Sequence, residues 1–366
     1  MIPTLLLALS PGSLFADATL HGAKFSVAQM HACEALLNSE ADVRKAVNQV
    51  IDYAATKVLG QQKVIERGVI TMLLGGNVLF QGPSGLSKTR LVKTLAKSFS
   101  GSFGRLQFMV GTDPSDVLGS AMFDSAEGKD KFYPGPIFNN FVLFDEINRA
   151  ASKTQSVSLQ AMEEHEVTIR DQTFELARVF SIFATQNPNQ AGVFPLPHAQ
   201  LDRFLMMIDV GYAGLEVERD ILRLMVREAE ESVLDSGNDT FQPIAIENIL
   251  AARKMILNVK ASEAVENYIL HLVMSTRKPG DYIPEMESYI NTAVGPRGTA
   301  SLMMSAKALA WLRGKPEVTV AEVEELFLPV MLHRLEINVS VEMSQNLKAV
   351  DILNKLNAAV KEKLKI

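Results

Sequence analysis

The chain has 366 residues, 47% hydrophobic and 21% charged, the make-up of an ordinary globular protein and too long for one small domain. Its net charge of −6 and pI of about 5.6 offer no global basic surface to nucleic acid. The lone Cys33 excludes an intrachain disulfide framework, and no apolar run is long enough to cross a bilayer.

The first residues, Ile2–Leu9, are apolar but carry no Lys or Arg ahead of them, so they are read as part of a cytoplasmic protein and not as an export signal. Residues 26–56 carry helical spacing at Val27, Met30, Leu36, Leu37, Val43, Val47 and Ile51. Gly60-Gln61 makes a turn before a second helix over about 64–74. A strand is predicted at Val78–Phe80, then a glycine-bearing loop, then a helix from Lys88 to about Phe99. The second strand is placed at Leu106–Val110, followed by a polar, Gly/Pro-rich insertion over Gly111–Pro136. Phe141–Phe144 is almost continuously apolar, as a strand covered on both faces should be. A helix over Ser152–His165 leads into residues 166–176, which alternate on either side of Asp171-Gln172 and predict a β-hairpin. Val179–Ala184 and Leu205–Val210 supply the fourth and fifth strands. From about Leu215 the pattern is helical, broken at 236–239, 279–280 and Gly314. Strands alternating with helices predict an α/β domain with a parallel five-stranded sheet, followed by an all-helical second domain.

Chemistry concentrates in two stretches. Asn77-Val-Leu-Phe-Gln-Gly-Pro-Ser-Gly-Leu-Ser-Lys-Thr89 is an apolar strand feeding a loop that enters a helix, the layout of a phosphate-binding loop. Residues Gly82, Pro83, Ser84, Gly85, Leu86, Ser87, Lys88 and Thr89 would wrap the phosphates. Lys88 would reach the β- and γ-phosphates and the Thr89 hydroxyl would hold Mg²⁺. The usual pattern has glycine just before the lysine, and here it is Ser87, whose added Cβ is expected to crowd the ligand and slow turnover. The second stretch, Val142-Leu-Phe-Asp-Glu-Ile-Asn-Arg149, ends a buried strand in paired acids. Ligand sites in parallel sheets lie at such strand ends, so Asp145 is the Mg²⁺ partner and Glu146 the water-activating base. Asn187, ending the next strand, could orient water or touch the γ-phosphate. Arg203 and Arg297 carry no chemistry readable from spacing; on the residues alone a helix-end salt bridge and a turn arginine are the preferred readings.

These residues, with Gly60-Gln61, Asp113-Pro-Ser-Asp116, Gly135-Pro-Ile-Phe138, Ala161-Met-Glu-Glu164, Gln200-Leu-Asp-Arg-Phe204, Pro296-Arg297 and His333-Arg334, closely resemble the MoxR family of AAA+ ATPases over about residues 57–340. The resemblance implies a ring, usually hexameric, that binds ATP and Mg²⁺ at subunit interfaces. It implies Walker A residues at Lys88 and Thr89, Walker B residues at Asp145 and Glu146, and further nucleotide contacts at Gly60 and Gln61. Asn187 matches sensor 1, Arg203 an arginine finger acting on the neighbouring subunit, and Arg297 sensor 2 on the lid. The insertion and the hairpin match inserts that face partners or the pore. It implies chaperone-like remodelling of a protein substrate, commonly with a von Willebrand factor A-domain partner. On this pattern residues 1–56 form a helical extension, 57–212 the nucleotide-binding domain, 213–340 the lid and 341–366 an amphipathic tail.

Two other functions compete. A low-turnover switch that assembles on ATP is favoured by Ser87. A nucleic-acid motor is disfavoured by the acidic pI and by a hairpin tip, Arg170-Asp171-Gln172, with a single basic residue. The tail places Leu353, Leu356, Val360 and Leu364 on one face, which suits either docking to a partner or packing on the chain's own lid.

Overall fold

Period-two alternation along the central strands decides the architecture, because each strand divides its side chains between two hydrophobic layers. Phe141 and Leu143 belong to one cluster while Val142 and Phe144 belong to the other; Val78 and Phe80 are likewise separated from Leu79, and Phe183 from Ile182 and Ala184. The computed structural model describes residues 39–83, 85–124, 128–169, 172–188, 192–234 and 241–366. The apolar start, Cys33, the helical spacing before residue 39, Ser84, the hairpin tip Arg170-Asp171 and the break at 236–239 lie outside the described residues.

Helix α1 (Glu40–Lys57) opens the described chain, its N-cap Ser39 hydroxyl accepting from the Asp42 amide. Then come α2 (Gln62–Leu74), β1 (Val78–Gln81), α3 (Lys88–Ser98) and β2 (Phe103–Gln107). The short α4 (Pro114–Leu118) precedes a hairpin of β3 (Gly119–Asp124) and β4 (Lys129–Pro134). Next are β5 (Phe141–Asp145), α5 (Ser152–Glu164), the hairpin of β6 (Glu166–Ile169) and β7 (Gln172–Glu175), β8 (Ser181–Gln186), α6 (His198–Leu201) and β9 (Met206–Asp209). The sheet is parallel throughout, in the order β2-β5-β8-β1-β9. Five strands and a parallel sheet were expected, but β2 was not expected where it lies. It begins three residues earlier than Leu106 and ends at Gln107, while Met109 and Val110 are exposed beyond it and Phe108 packs edge-on against Phe144. The apolar run that suggested a strand at 106–110 is therefore a strand end plus one core anchor. The insertion over 111–136 is also more ordered than its composition suggests. Asp113 and Asp116 close a capping box on α4, and Phe132 from β4 stacks on Phe174 of the second hairpin, with Phe138 edge-on to both.

The C-terminal region is helical: α7 (Leu215–Leu234), α8 (Glu247–Leu257), α9 (Glu263–Arg277), α10 (Pro296–Leu312), α11 (Val320–Met331), α12 (Val339–Gln345) and α13 (Ala349–Leu364). Four very short strands tie these helices in pairs: β10 (Lys260–Ala261) with β12 (Glu317–Val318), and β11 (Ile290–Thr292) with β13 (Glu336–Ile337). Helix α1 is not peripheral: Val43, Val47, Val50 and Ala54 are buried in the core that α3, α8 and α10 also line. Helix α13 buries Ile352, Leu353, Leu356 and Val360, and Asn357 accepts from the Tyr268 hydroxyl on α9 at 2.6 Å. The apolar face of the tail is thus committed to the chain's own lid, which removes the basis for reading it as a docking helix. No helix among the described residues is long and apolar enough to cross a membrane.

Lid and sheet domain meet at a 3-10 turn, Leu332–Arg334, that follows α11. His333 is fully enclosed, and its Nε2–H donates to the Phe204 carbonyl at 3.0 Å. Burial and the adjacent Arg334 guanidinium hold its pKa well below the ordinary 6.5, so it is neutral when folded. The unfolded chain therefore binds a proton that the folded chain does not as pH falls below about 6.5, and stability is lost in that direction. The expected contribution is at most about 1.4 kcal/mol per pH unit. Urea unfolding from about pH 5 to 8 should show wild type losing stability relative to His333→Gln below pH 6.5, with a constant difference above it. A difference that stays flat across the range would show that His333 is not held neutral.

Candidate functional site

Register places the site. Gln107 pairs with Asp145, Phe144 with Ala184, and Gln81 with both Gln186 and Asp209, so all five strands end in a polar residue, those of β8, β1 and β9 one residue beyond those of β2 and β5. Behind those ends the strands are buried and apolar. Water-seeking groups are therefore gathered along one edge, the edge that the loop between β1 and α3 overhangs. Gln186 donates to Gln81 there at 2.8 Å.

The loop turns on Gly82 and Gly85, at φ 147° and 87°, and a Cβ on Gly82 would lie 2.2 Å from the Val210 carbonyl oxygen. Ser87 follows at φ 54°, ψ 19°, a left-handed conformation that a non-glycine residue adopts at a cost. The sequence departure at Ser87 is therefore a matter of backbone strain as well as of an added Cβ. Lys88, the first residue of α3, reaches back to donate to the Gly82 carbonyl at 2.9 Å and so straps the loop closed. Burial lowers its pKa, with Asp145 and Glu146 opposing.

Asp145 and Glu146 leave β5 facing this loop. The Asp145 carboxylate accepts from Thr185 at 2.8 Å, from Arg105 at 2.7 Å and from the Thr89 hydroxyl at 3.4 Å. Glu146 is left-handed too, at φ 57°, and its amide donates to the Thr185 hydroxyl at 2.8 Å while its carboxylate pairs with Arg149 at 2.9 Å. Together Gly85, Leu86, Ser87, Lys88, Thr89, Asp145, Glu146 and Asn187 line a cleft of about 400 Å³. Gly82, Pro83 and Asn187 line a second hollow of about 200 Å³ with Asp209 and Gly211. Gly60 and Gln61 stand beside it: Gln61 donates to the Gly211 carbonyl at 3.2 Å, and Gly60 has Val217 so close that a Cβ would be 2.6 Å from it.

Arg203 and Arg297 are brought together, but not with this group. Neither lines the cleft. Both reach Glu163 on α5, Arg203 at 2.9 Å and Arg297 through a short ion pair; Arg297 also approaches Asp202 at 3.7 Å. The helix-end ion pair that sequence alone allowed for Arg203 is present, and it is shared.

Several participants carried no sequence signal. Arg105 and Gln107 line the cleft from β2 but were hidden by the misplaced strand. Thr185 lay one residue past the strand predicted over Val179–Ala184, with no role attached. Glu163 lies within the recognised Ala161–Glu164 stretch, but it is distant in sequence from both of its arginines and nothing local assigned it to them.

Residues 77–206 match the family described as "ATPase family associated with various cellular activities (AAA)", and residues 286–356 match the AAA lid domain. The uncharacterized protein YeaC of Bacillus subtilis is 33% identical over 87% of this chain and 96% of its own length. Chaperone MoxR1 of Mycobacterium tuberculosis is 35% identical over 76% of this chain and 72% of its own length, and protein MoxR of Paracoccus denitrificans is 28% identical over 78% and 87%. A crystal structure of a proposed ATPase from Cytophaga hutchinsonii is similar with a TM-score of 0.79 at 34% identity, covering 87% of this chain and 96% of that one. A parallel sheet with polar strand ends, a glycine loop strapped by lysine, paired acids opposite it and a helical lid, matched along most of the chain by these relatives, place the protein in the MoxR family of AAA+ ATPases.

Proposed function

We propose that this chain binds ATP with Mg²⁺ in the 400 Å³ cleft and hydrolyses it, at sites completed by a neighbouring copy in a ring, to remodel or activate a partner protein. The observation that carries this reading is the convergence of Lys88, Thr89, Asp145, Glu146 and Asn187 on one cleft, with Arg203 and Arg297 grouped outside it. The donor set fits the metal: a hydroxyl and a carboxylate oxygen 3.4 Å apart are hard ligands, and Mg²⁺ is commonly held by one or two protein oxygens plus phosphates and water. Bound there, Mg²⁺ would neutralise charge on the β- and γ-phosphates.

The chain's own groups divide the remaining work. Lys88 binds the phosphates once it leaves the Gly82 carbonyl. Thr89 and Asp145 would hold the metal, and Arg105 covers the Asp145 charge that the metal would take over. Glu146 accepts a proton from the water that attacks the γ-phosphorus, and the bond to the bridging oxygen breaks to leave ADP and phosphate. Asn187 orients that water. Gly60 and Gln61 face the base and sugar. Arg203 and Arg297 act on the neighbour's γ-phosphate, a reading supported by their shared distance from the chain's own cleft. A hexameric ring and a von Willebrand factor A-domain partner are what the family resemblance implies, and a cytoplasmic setting is the reading of the uncharged apolar start; one relative, MoxR1, is named a chaperone.

Lys88→Ala should abolish binding of a fluorescent ATP analogue, because the lysine neutralises phosphate charge in ground and transition states alike. Glu146→Gln should keep binding and lose turnover, because the glutamate acts only on the water. Glu146→Gln protein with wild-type turnover would remove the role given to that residue.

Arg203→Ala subunits and Glu146→Gln subunits, each inactive alone, should recover part of the activity when mixed, because some interfaces then hold both groups. An arginine finger supplies roughly 10³–10⁵ in turnover, so even partial recovery is measurable. No recovery in rings shown to be mixed would count against a shared site.

Ser87 supports the second reading, a slow switch, since its left-handed backbone and its Cβ both sit where phosphate must approach. Ser87→Gly should relieve about 1 kcal/mol of strain, offset in part by the greater entropy of glycine in the unfolded chain. Turnover should rise with the melting temperature little changed. Equal or lower turnover with a higher KM would mean that the hydroxyl instead donates to a phosphate oxygen.

A further inference from the structure

Arg334 is a buried charge that the proposed chemistry leaves unused. Its side chain is 1% exposed, and it spans the junction between lid and sheet domain. Nε donates to Asp202 Oδ1 at 2.9 Å. Nη2 donates to the carbonyls of Phe204 at 2.6 Å and Asp202 at 3.3 Å, and Nη1 to that of Leu205 at 3.3 Å. These partners bracket Arg203 in the chain. A further contact at 3.3 Å to the Ser301 hydroxyl reaches α10, the helix whose first turn carries Arg297. His333 adds its own bond to the Phe204 carbonyl. Space for the guanidinium stem is kept by Gly298, where a Cβ would lie 3.0 Å from Arg334 Cδ and 2.3 Å from Val294 Cγ1.

One planar fork therefore fixes the backbone on both sides of Arg203 and also the helix that presents Arg297. The two arginines then meet on Glu163. The 202–205 segment is short and irregular between α6 and β9; its amides close turns on His198, Gln200 and Leu201, the Leu205 amide donates to the Asn77 carbonyl at 2.7 Å, and the carbonyls of 202, 204 and 205 face Arg334. Burying a guanidinium is costly unless its donors are paired, so the pairing that retains Arg334 in the core also dictates where the carbonyls of 202, 204 and 205 must lie.

We propose that Arg334 is a positioning residue, set by the lid, that aims the Arg203–Arg297 pair at the neighbouring subunit's nucleotide. The inference rests on the reading that Arg203 acts in trans. A lid rotation carries Arg334 with it, so the aim of the pair is tied to lid position. A neighbour's nucleotide site would thereby sense the lid of the subunit presenting the arginines.

Arg334→Lys tests this in full-length assembled protein. Lysine keeps the charge but cannot serve five acceptors at fixed angles. Turnover should fall at least tenfold, since a displacement of about 1 Å can cost roughly a hundredfold. The Kd for a fluorescent ATP analogue should stay within about twofold, because each subunit's own cleft is untouched. Mixing with Glu146→Gln subunits should restore activity as it does for Arg203→Ala, because the lysine variant keeps a sound cleft and the partner keeps sound arginines. Turnover within about twofold of wild type overturns the proposal. So does a loss that Glu146→Gln subunits do not repair while they repair Arg203→Ala; Arg334 would then be structural only. If Arg203→Ala is not repaired either, the trans reading of Arg203 has failed, which is a separate result. Should Arg334→Lys not assemble, Arg334→Gln carries the same measurements and the same outcomes, since its amide has only two donors for these acceptors and leaves both Arg203 and Arg297 with their carboxylates.

Discussion

Parallel strands that end in register force a protein to place polar groups together. A parallel sheet covered on both faces has apolar strands, and its only wettable positions are its edges and ends. Here the hydrogen-bond register sets Gln107 beside Asp145, level with Thr185, and sets Gln186, Gln81 and Asp209 in the adjoining row one residue further on. Thr185 then fits between neighbours, donating to the Asp145 carboxylate and accepting from the Glu146 amide. The site's geometry is thus a by-product of ladder register, and a slip of one residue in β5 or β8 would turn Asp145 or Thr185 to the opposite face.

The lid is joined to that sheet by a polar contact as well as by packing. Arg334 and His333 together direct their donors at carbonyls of the segment between α6 and β9. Burial pulls the Arg334 pKa down to about 10, opposed by Asp202, so the group remains charged at neutral pH. A buried cation paired mostly with backbone dipoles is specific about position because each acceptor it loses leaves a donor unsatisfied. An apolar contact of equal area would tolerate sliding. The junction therefore transmits displacement of the lid instead of absorbing it.

How far the sequence could be read depended on how each element is buried. β1, β5 and β8 are inner strands, covered on both faces, and their apolar runs located them to within a residue or two. β2 is at the sheet edge with an alternating burial pattern, and its signal merged with Phe108, Met109 and Val110 beyond it. That single displacement hid Arg105 and Gln107. The lid's strands are two or three residues long, too short to leave a period. The stripe on α13 was seen correctly, but an amphipathic stripe does not say whether its cover comes from the same chain. Lys88, Thr89, Asp145 and Glu146 were legible because loop and strand-end chemistry is local. The grouping of Arg203, Arg297 and Glu163 was not, because it forms only when α5, the segment after α6 and the start of α10 meet in space.

Strain at the cleft follows the same logic. Among the described residues, six non-glycine positions have positive φ, and two of them, Ser87 and Glu146, line the cleft from opposite sides. Such conformations cost of order 1–3 kcal/mol each and persist only where surroundings enforce them. At Glu146 the enforcement is visible: its amide is held by Thr185 and its carboxylate by Arg149. At Ser87 the chain must turn directly from the loop into α3 with Lys88 already strapped to Gly82. The stability of the sheet and of α3 offsets both costs. Groups held in this way need little reorganisation when charge develops in the cleft, which is the condition under which fixed dipoles and acids are most effective. The strained residues therefore belong with the polar strand ends, since both let folding energy set the positions of the groups that line the cleft.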